Sequence, residues 1–397
     1  MLVPITYTLR SLFVRRSATF LTVLGIGATV AVLAGVLALR AGFTTLFVQN
    51  GRDDVAVFLR QGATSEGESG ITRETCDRLI KTLPQIAKAG GPEGAPLAAM
   101  ECYLAVRRNK LDGGGETNVP IRGVEAASLA IRGDALRFVE GRALQFGSDE
   151  VVVGRKLVDR IESCRLGDVV QLNTTPFRVV GIFECDGPFE SEIWGDFERM
   201  LVALQRPVAN RVVAKLVPEA QGDGFEPFAT MLAEGDAYQD LKVIAKTERA
   251  YLAEMTGALG TTLLVLSLAL SVIMGLAATF TATNTMLSAV ASRTHEIGIL
   301  LSLGFRPFPI FLSFLFEALV LGLLGGAVGC LLALPINGIE TGTTNFATFT
   351  EVAFAFRVTP PVLAGAITFA LVLGLLGGAV PAWRAARLAP TEALRRR

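Results

Sequence analysis

Four stretches of this chain carry almost no charge over lengths that an ordinary core helix rarely reaches. Residues 17–39, 255–292 and 358–383 hold no Asp, Glu, Lys or Arg, and residues 307–339 hold one carboxylate, Glu317. Each run exceeds the roughly 20 residues needed to cross a hydrocarbon core. Composition agrees: 51% of the 397 residues are hydrophobic and only 19% are charged, outside the balance of a soluble globular chain. The first run is longer than the apolar region of a cleaved signal, about 7 to 15 residues, and is read as a retained anchor. The expected fold class is a multi-span α-helical membrane protein with four transmembrane helices and a large α+β extracytoplasmic domain.

The flanks set the expected orientation, because Lys and Arg collect on the cytoplasmic side near span ends. Arg10, Arg15 and Arg16 precede the first run, Arg293 and Arg306 lie between the second and third, and Arg384, Arg387 and Arg395 to Arg397 follow the fourth. Against these ten stand only Glu296 and Glu392. Residues 40–254 are mildly acidic, with 26 Lys or Arg against 32 Asp or Glu. No basic block interleaved with aromatics points to nucleic acid. The expected layout is then an amphipathic cytoplasmic segment (1–16), a first span (17–39), the large domain (40–254) and a second span (255–283). A short cytoplasmic helical region (284–306), a third span (307–337), an extracytoplasmic loop (338–357), a fourth span (358–382) and a cytoplasmic tail (383–397) complete it. Both termini are expected in the cytoplasm of a cell whose inner membrane holds the chain.

Within the large domain, "TRETCDRLIKTLPQIAKA" (72–89) has the Thr start, early Glu and apolar spacing of an amphipathic helix. The runs "CYLAVRR", "NVPIRGV", "DEVVVG", "DVVQL" and "FRVVGIF" read as strands parted by turns such as "LDGGGE" and "LNTTPF". "FEPFATMLAEG" reads as a helix, and "KTERAYLAEM" as a charged helix leading into the second span. Phe189 and Trp194 read either as core or as partner-facing aromatics. Cys76, Cys102, Cys164 and Cys185 lie where an oxidising compartment would permit disulfides, with three pairings open; free, half-buried thiols are the other reading.

"LGLLGGAV" occurs at 321–328 and again at 373–380. Gly322 with Gly326, Gly325 with Gly329 and Gly374 with Gly378 place small residues four apart, the spacing that lets membrane helices approach closely. The seam is either internal or between two copies. Glu317 lies about 15 Å into the third span at ~1.5 Å per residue. A charge there is costly, so it is expected to contact neighbouring spans or to stay neutral against polar groups such as Thr281 or Asn284.

Enzyme chemistry finds little support. The only histidine, His295, rules out HExxH and is the sole candidate base for a nucleophile pair. No GxxxxGK[ST] occurs, so these residues bind no ATP through a P-loop. No catalytic residue, metal ligand set or cofactor is assigned.

Between the second and third runs stands "SRTHEIGILLSLG" (292–304). Val290, Thr294, Ile297 and Leu301 share one helical face, Ser292, His295 and Glu296 lie on others, and Gly304 and Pro307 are stop signals. Such a helix lies on lipid or docks a partner; with few basic residues for headgroups, docking is favoured.

The segment "NTMLSAVASRTHEIGILLSLG" with the following "EALVLGLLGG" resembles the FtsX-like permeases of the MacB type, membrane subunits of ABC transporters. Asn284, Met286, Val290, Arg293, Glu296, Ile297, Gly298, Gly304, Glu317, Gly325 and Gly326 carry the match. "PAWRAARLAPTEALR" is similar to the family's ending through Pro381, Ala385, Ala386, Pro390, Glu392, Ala393, Leu394 and Arg395. "EGRAL", "DEVVVGRKL" and "LGDVVQLNTTPFRVVGIF" resemble the family's periplasmic core domain. The resemblance implies a homodimer whose short helix contacts a cytoplasmic ATPase through Ser292, Arg293, Thr294, His295, Glu296, Ile297 and Gly298. Pairing of Arg293 with Glu296 is the structural alternative. ATP and Mg would be bound by that ATPase, expected on a separate chain because residue 17 already opens the first span. A periplasmic adaptor, a substrate exported or extracted from the membrane, and contact with lipid are further implications. The alternative implied by the FtsX branch is a mechanotransmitter that relays ATP hydrolysis to a cell-wall hydrolase.

Overall fold

A computed structural model describes residues 16–111, 113–345 and 350–389. The segment 1–15 and the tail from Pro390, with Glu392, Ala393, Leu394 and Arg395, lie outside the described residues. The helices are α1 (Arg16–Thr44), α2 (Arg73–Thr82), α3 (Ala126–Arg132), α4 (Arg155–Val158) and α5 (Phe197–Ala203), then α6 (Phe225–Glu234), α7 (Glu248–Ser292), α8 (Thr294–Ser302), α9 (Pro307–Ala333) and α10 (Pro360–Ala386). The strands are β1 (Val55–Arg60), β2 (Ala98–Asn109), β3 (Glu116–Val124), β4 (Leu136–Gly141), β5 (Glu150–Gly154) and β6 (Val169–Leu172), followed by β7 (Thr175–Cys185), β8 (Ile193–Asp196), β9 (Arg211–Lys215), β10 (Val243–Thr247), β11 (Glu340–Asn345) and β12 (Thr350–Ala355). The chain folds as two units, one helical and one spanning Phe43–Gly260 with Glu340–Phe354.

In the helical unit, Thr19–Gln49, Gly260–Ser292, Pro307–Ile336 and Pro360–Ala386 are each long and apolar enough to cross a membrane. An α-helix satisfies its own backbone polar groups, which lipid cannot do. Two glycine faces of α9 let its neighbours close in. A Cβ at Gly322 would stand 2.7 Å from the Ala370 carbonyl of α10, and one at Gly326 2.8 Å from Ala370 Cβ. On the other face, a Cβ at Gly325 would stand 2.7 Å from Ile26 Cβ and one at Gly329 2.7 Å from the Gly27 carbonyl, both of α1. From α10, Gly374 lies against the Ala318 carbonyl (2.6 Å from an added Cβ) and Gly378 against Ala318 Cβ (2.1 Å). The repeated "LGLLGGAV" therefore packs within one chain. Thr22 donates to Thr285 at 2.9 Å and Thr283 to the Gly377 carbonyl at 3.0 Å, adding polar ties between spans.

In the α/β unit the sheet runs β10-β1-β9-β2-β3-β8-β5-β7-β4, with β6 paired to β7. β3 pairs β8 and β5 pairs β7 in parallel; the other pairings within this sheet are antiparallel. The predicted strand runs fall on β2, β3, β5, β6 and β7. The turn "LNTTPF" carries Asn173 at φ 49°, a conformation Asn tolerates.

Four expectations need correction. The helix expected over 72–89 ends at Thr82, because Leu83 precedes Pro84 and takes an extended conformation (φ −84°, ψ 110°); Ile86 instead bridges to Leu216. The helix expected to start near Lys246 starts at Glu248, since Val243–Thr247 pairs with β1 as the sheet's edge strand. Cys76, Cys102, Cys164 and Cys185 are all free and buried, on separate elements or loops, and make no disulfide. Burial pushes each of these thiols up to about 12. Residues 338–357, expected as a loop, hold the two-stranded sheet of β11 and β12. The Ala353 N–H of β12 donates to Ser191 Oγ at 3.3 Å, and Phe354 meets Phe43 edge-on.

Candidate functional site

α7 ends where Arg293 leaves helical geometry (φ −112°, ψ 12°), and α8 starts at the next residue. α8 closes with the backbone bonds of a Schellman turn: Gly304 N–H donates to the Leu301 carbonyl at 3.1 Å and Phe305 N–H to the Leu300 carbonyl at 3.1 Å. Gly304 sits at φ +88°, which glycine adopts without strain. Pro307 then opens α9, its missing N–H costing nothing at a helix start. The expected region 284–306 is thus the last turns of α7, a one-residue break, α8 and a capped turn.

The seven expected contact residues divide by face. Ile297 and Gly298 are buried. Ile297 clusters with Val290, Ile310, Phe314, Ala382 and Ala385, and Leu301 packs against them. Ser292, His295 and Glu296 are exposed, and Thr294 is half-buried. Ser292 and Thr294 hydroxyls donate to Ala289 and Ala291 carbonyls at 3.0 and 2.9 Å, which stiffens the break. The outward set is therefore Ser292, His295 and Glu296, presented by a helix whose other face is anchored.

Arg293 and Glu317 are brought together: Nη1 lies 3.4 Å from Oε2, with side chains 15% and 5% exposed. A guanidinium beside a buried carboxylate offsets part of its desolvation cost. Thr281 donates to its own helix at the Ala277 carbonyl, and Asn284 is exposed on α7; Arg293 stands beside Glu317. Next to this pair, Arg293, Glu296, Ile297, Leu300, Ile310, Ser313 and Phe314 line a pocket of about 20 Å³. That is room for roughly one water. It is too small for a nucleotide.

A second cluster went unseen in the sequence. At the centre of the α/β unit, Arg122 makes paired bonds to Glu66 (2.7 and 2.9 Å) and to Glu192 (2.7 and 2.7 Å), while Arg211 grips Glu101 Oε2 at 2.6 Å. All five charged side chains are buried. Burial opposes ionisation of Glu101, but Arg211 and Arg122 outweigh it and hold its carboxyl down at about 2. Burial likewise opposes the charge on Glu66, which Arg122 and Arg211 hold below the usual glutamate range. Trp194 is core: its Nε1 donates to Glu192 Oε2 at 2.7 Å, and its ring packs tilted on Phe183 with centroids 4.5 Å apart. Charged residues inside otherwise strand-like runs, as in "NVPIRGV", were the only available signal, and alternation assigns them to the solvent face.

Residues 19–226 match the family model of the MacB-like periplasmic core domain, and residues 268–390 match that of the FtsX-like permease C-terminal region. The pyoverdine export ATP-binding/permease protein PvdT of Pseudomonas fluorescens is 28% identical over 97% of this chain and 58% of its own length. The macrolide export ATP-binding/permease protein MacB 2 of Aeromonas hydrophila is 27% identical over 98% of this chain and 60% of its own length. The chain thus spans about 60% of the length of these curated relatives. The crystal structure of the periplasmic region of MacB from Actinobacillus actinomycetemcomitans is similar over 51% of this chain and 92% of that one, at a TM-score of 0.37 and 12% identity. With both family models placed end to end over most of its length, the chain belongs to the MacB/FtsX-type family of ABC transporter permeases.

Proposed function

We propose that this chain is the membrane component through which ATP hydrolysis moves an extracytoplasmic domain, and that the work done there exports or extracts an amphiphilic substrate. The observation that carries the reading is α7: 45 unbroken helical residues from buried Glu248 to exposed Ser292. At ~1.5 Å per residue it is roughly 67 Å long, about twice a hydrocarbon core. One helix therefore serves both as a span and as a lead into the α/β unit, and α8 follows its end after a single residue. In this reading ATP and Mg are bound by an ATPase docked on Ser292, His295 and Glu296; the relatives' names as ATP-binding/permease proteins support it, and these 397 residues carry no GxxxxGK[ST]. A second copy of the chain, lipid and a periplasmic adaptor complete the assembly, with both termini in the cytoplasm. The relatives' names, pyoverdine and macrolide export, favour an amphiphile as cargo.

Affinity purification of the tagged chain from its native host in mild detergent tests this. Recovery of an ABC ATPase with a membrane-fusion adaptor is expected. Recovery of an ATPase with a peptidoglycan hydrolase would turn the reading to force relay, and recovery with no ATPase would end it.

A further inference from the structure

The residues after α1 and those that open α7 meet at one point in the α/β unit. Arg249 N–H donates to the Arg52 carbonyl at 3.2 Å, and Arg249 Nε lies 3.0 Å from Asp53 Oδ2. Gly51 comes so close that a Cβ there would stand 2.6 Å from Arg249 Cα. Both segments are then tied to the last turn of α3. Arg52 Nη1 donates to the Ile131 carbonyl at 2.7 Å, while its other nitrogens hold Asp54 at 2.8 and 2.6 Å. The Arg132 guanidinium makes parallel bonds of 2.9 and 2.6 Å to the two oxygens of Glu248, the first residue of α7.

The surroundings lock this arrangement. Arg132 and Glu248 side chains are 6% and 1% exposed, and the Phe189 ring lies 4.0 Å under the guanidinium. One turn along α7, buried Tyr251 accepts from the Glu66 N–H at 3.0 Å, joining the helix to the ionic centre. At its other end α3 is fixed by a capping box between Glu125 and Ser128, and Glu125 also accepts from the Met100 N–H of β2 at 2.8 Å. A path of directional bonds runs from the start of α7 through α3 to the middle of the sheet. Paired charge-assisted bonds fix both distance and angle, whereas apolar contact permits sliding.

We infer that Arg132 and Glu248 are positioning residues of a slip-free joint, which makes residues 50–54, the first turn of α7 and α3 one rigid body that carries the sheet. The inference deepens the proposed function and rests on it for its purpose, but its test needs no partner. The full chain is placed in lipid nanodiscs with spin labels at Val202→Cys and Gly257→Cys, both exposed positions; the native thiols are buried and do not compete. Pulsed electron resonance is expected to read one narrow distance, which Glu248→Gln and Arg132→Lys lose while Trp194 stays buried by fluorescence. A distance unchanged in both variants would overturn the joint. Should either variant fail to fold, Arg52→Gln with Asp53→Asn decides in the same way: a lost single distance supports the joint and a retained one refutes it. Absence of a co-purifying ATPase would remove the purpose assigned to α7 and leave this distance result standing, so the two failures are distinct.

Discussion

α7 has an arginine–glutamate pair at each end, and the two are built differently. At its start, Arg132 and Glu248 share two short parallel bonds and exclude water. At its end, Arg293 and Glu317 meet at 3.4 Å beside a water-sized pocket, on a residue that has already left the helix. The same chemistry gives a clamp, a pair of short parallel bonds, in one place and a longer contact in the other. The difference lies in desolvation and in the spacing and alignment of the two charged groups, and not in the residue types.

The largest way to break this comparison is Arg132→Met, which leaves Glu248 buried without its counter-ion. It should cost about 3–5 kcal/mol, measured by denaturant unfolding followed by Trp194 fluorescence in a Trp383→Phe background. Arg132→Met with Glu248→Leu should recover most of that loss, since an apolar pair needs no compensation. A cost for the single variant no greater than that of the double would show that the clamp is not desolvated.

Acid probes the centre on which the clamp rests. Glu101 titrates at about 2 when folded, below its ordinary 4.5, so the folded state binds its proton less readily than the unfolded chain. Its stabilisation is complete above about pH 4.5 and is lost as pH falls through 2, a change on the order of a few kcal/mol. The unfolding midpoint of the α/β unit should drop across this window, and Glu101→Gln should flatten that part of the profile.

Smaller effects belong to the other end. Glu317→Gln keeps a hydrogen-bonding side chain and should shift the stability of the helical unit by about 1 kcal/mol, read by thermal unfolding in detergent. Glu296→Lys, on the exposed face of α8, should leave stability within about 0.5 kcal/mol yet abolish ATPase stimulation in a reconstituted complex. If stimulation survives, docking uses another face.

The apolar runs and the stop at Gly304 were legible because hydropathy and glycine geometry act over a few residues; the break at Arg293 was not, since Val290, Thr294, Ile297 and Leu301 read as one continuous helical face across it. The glycine seams were legible as close-packing faces, but their partners were not: whether Gly325 meets α1 or a second copy depends on the shapes of side chains far apart in the sequence. The ionic centre was hidden for a related reason. Arg122 and Arg211 sit in strands whose alternation puts a charged residue on the wet side, and only the tertiary fold supplies Glu66, Glu101 and Glu192 as partners. Arg293 pairing with Glu317 likewise joins residues 24 apart across a helix break, beyond any i+3 or i+4 rule.

The buried thiols have a consequence for how the protein can be handled. Cys76, Cys102, Cys164 and Cys185 behave as small apolar side chains, each completing a packed surface and none closing a loop. The folded α/β unit then owes none of its stability to a disulfide, so a reductant added to the folded protein should leave its unfolding midpoint unchanged.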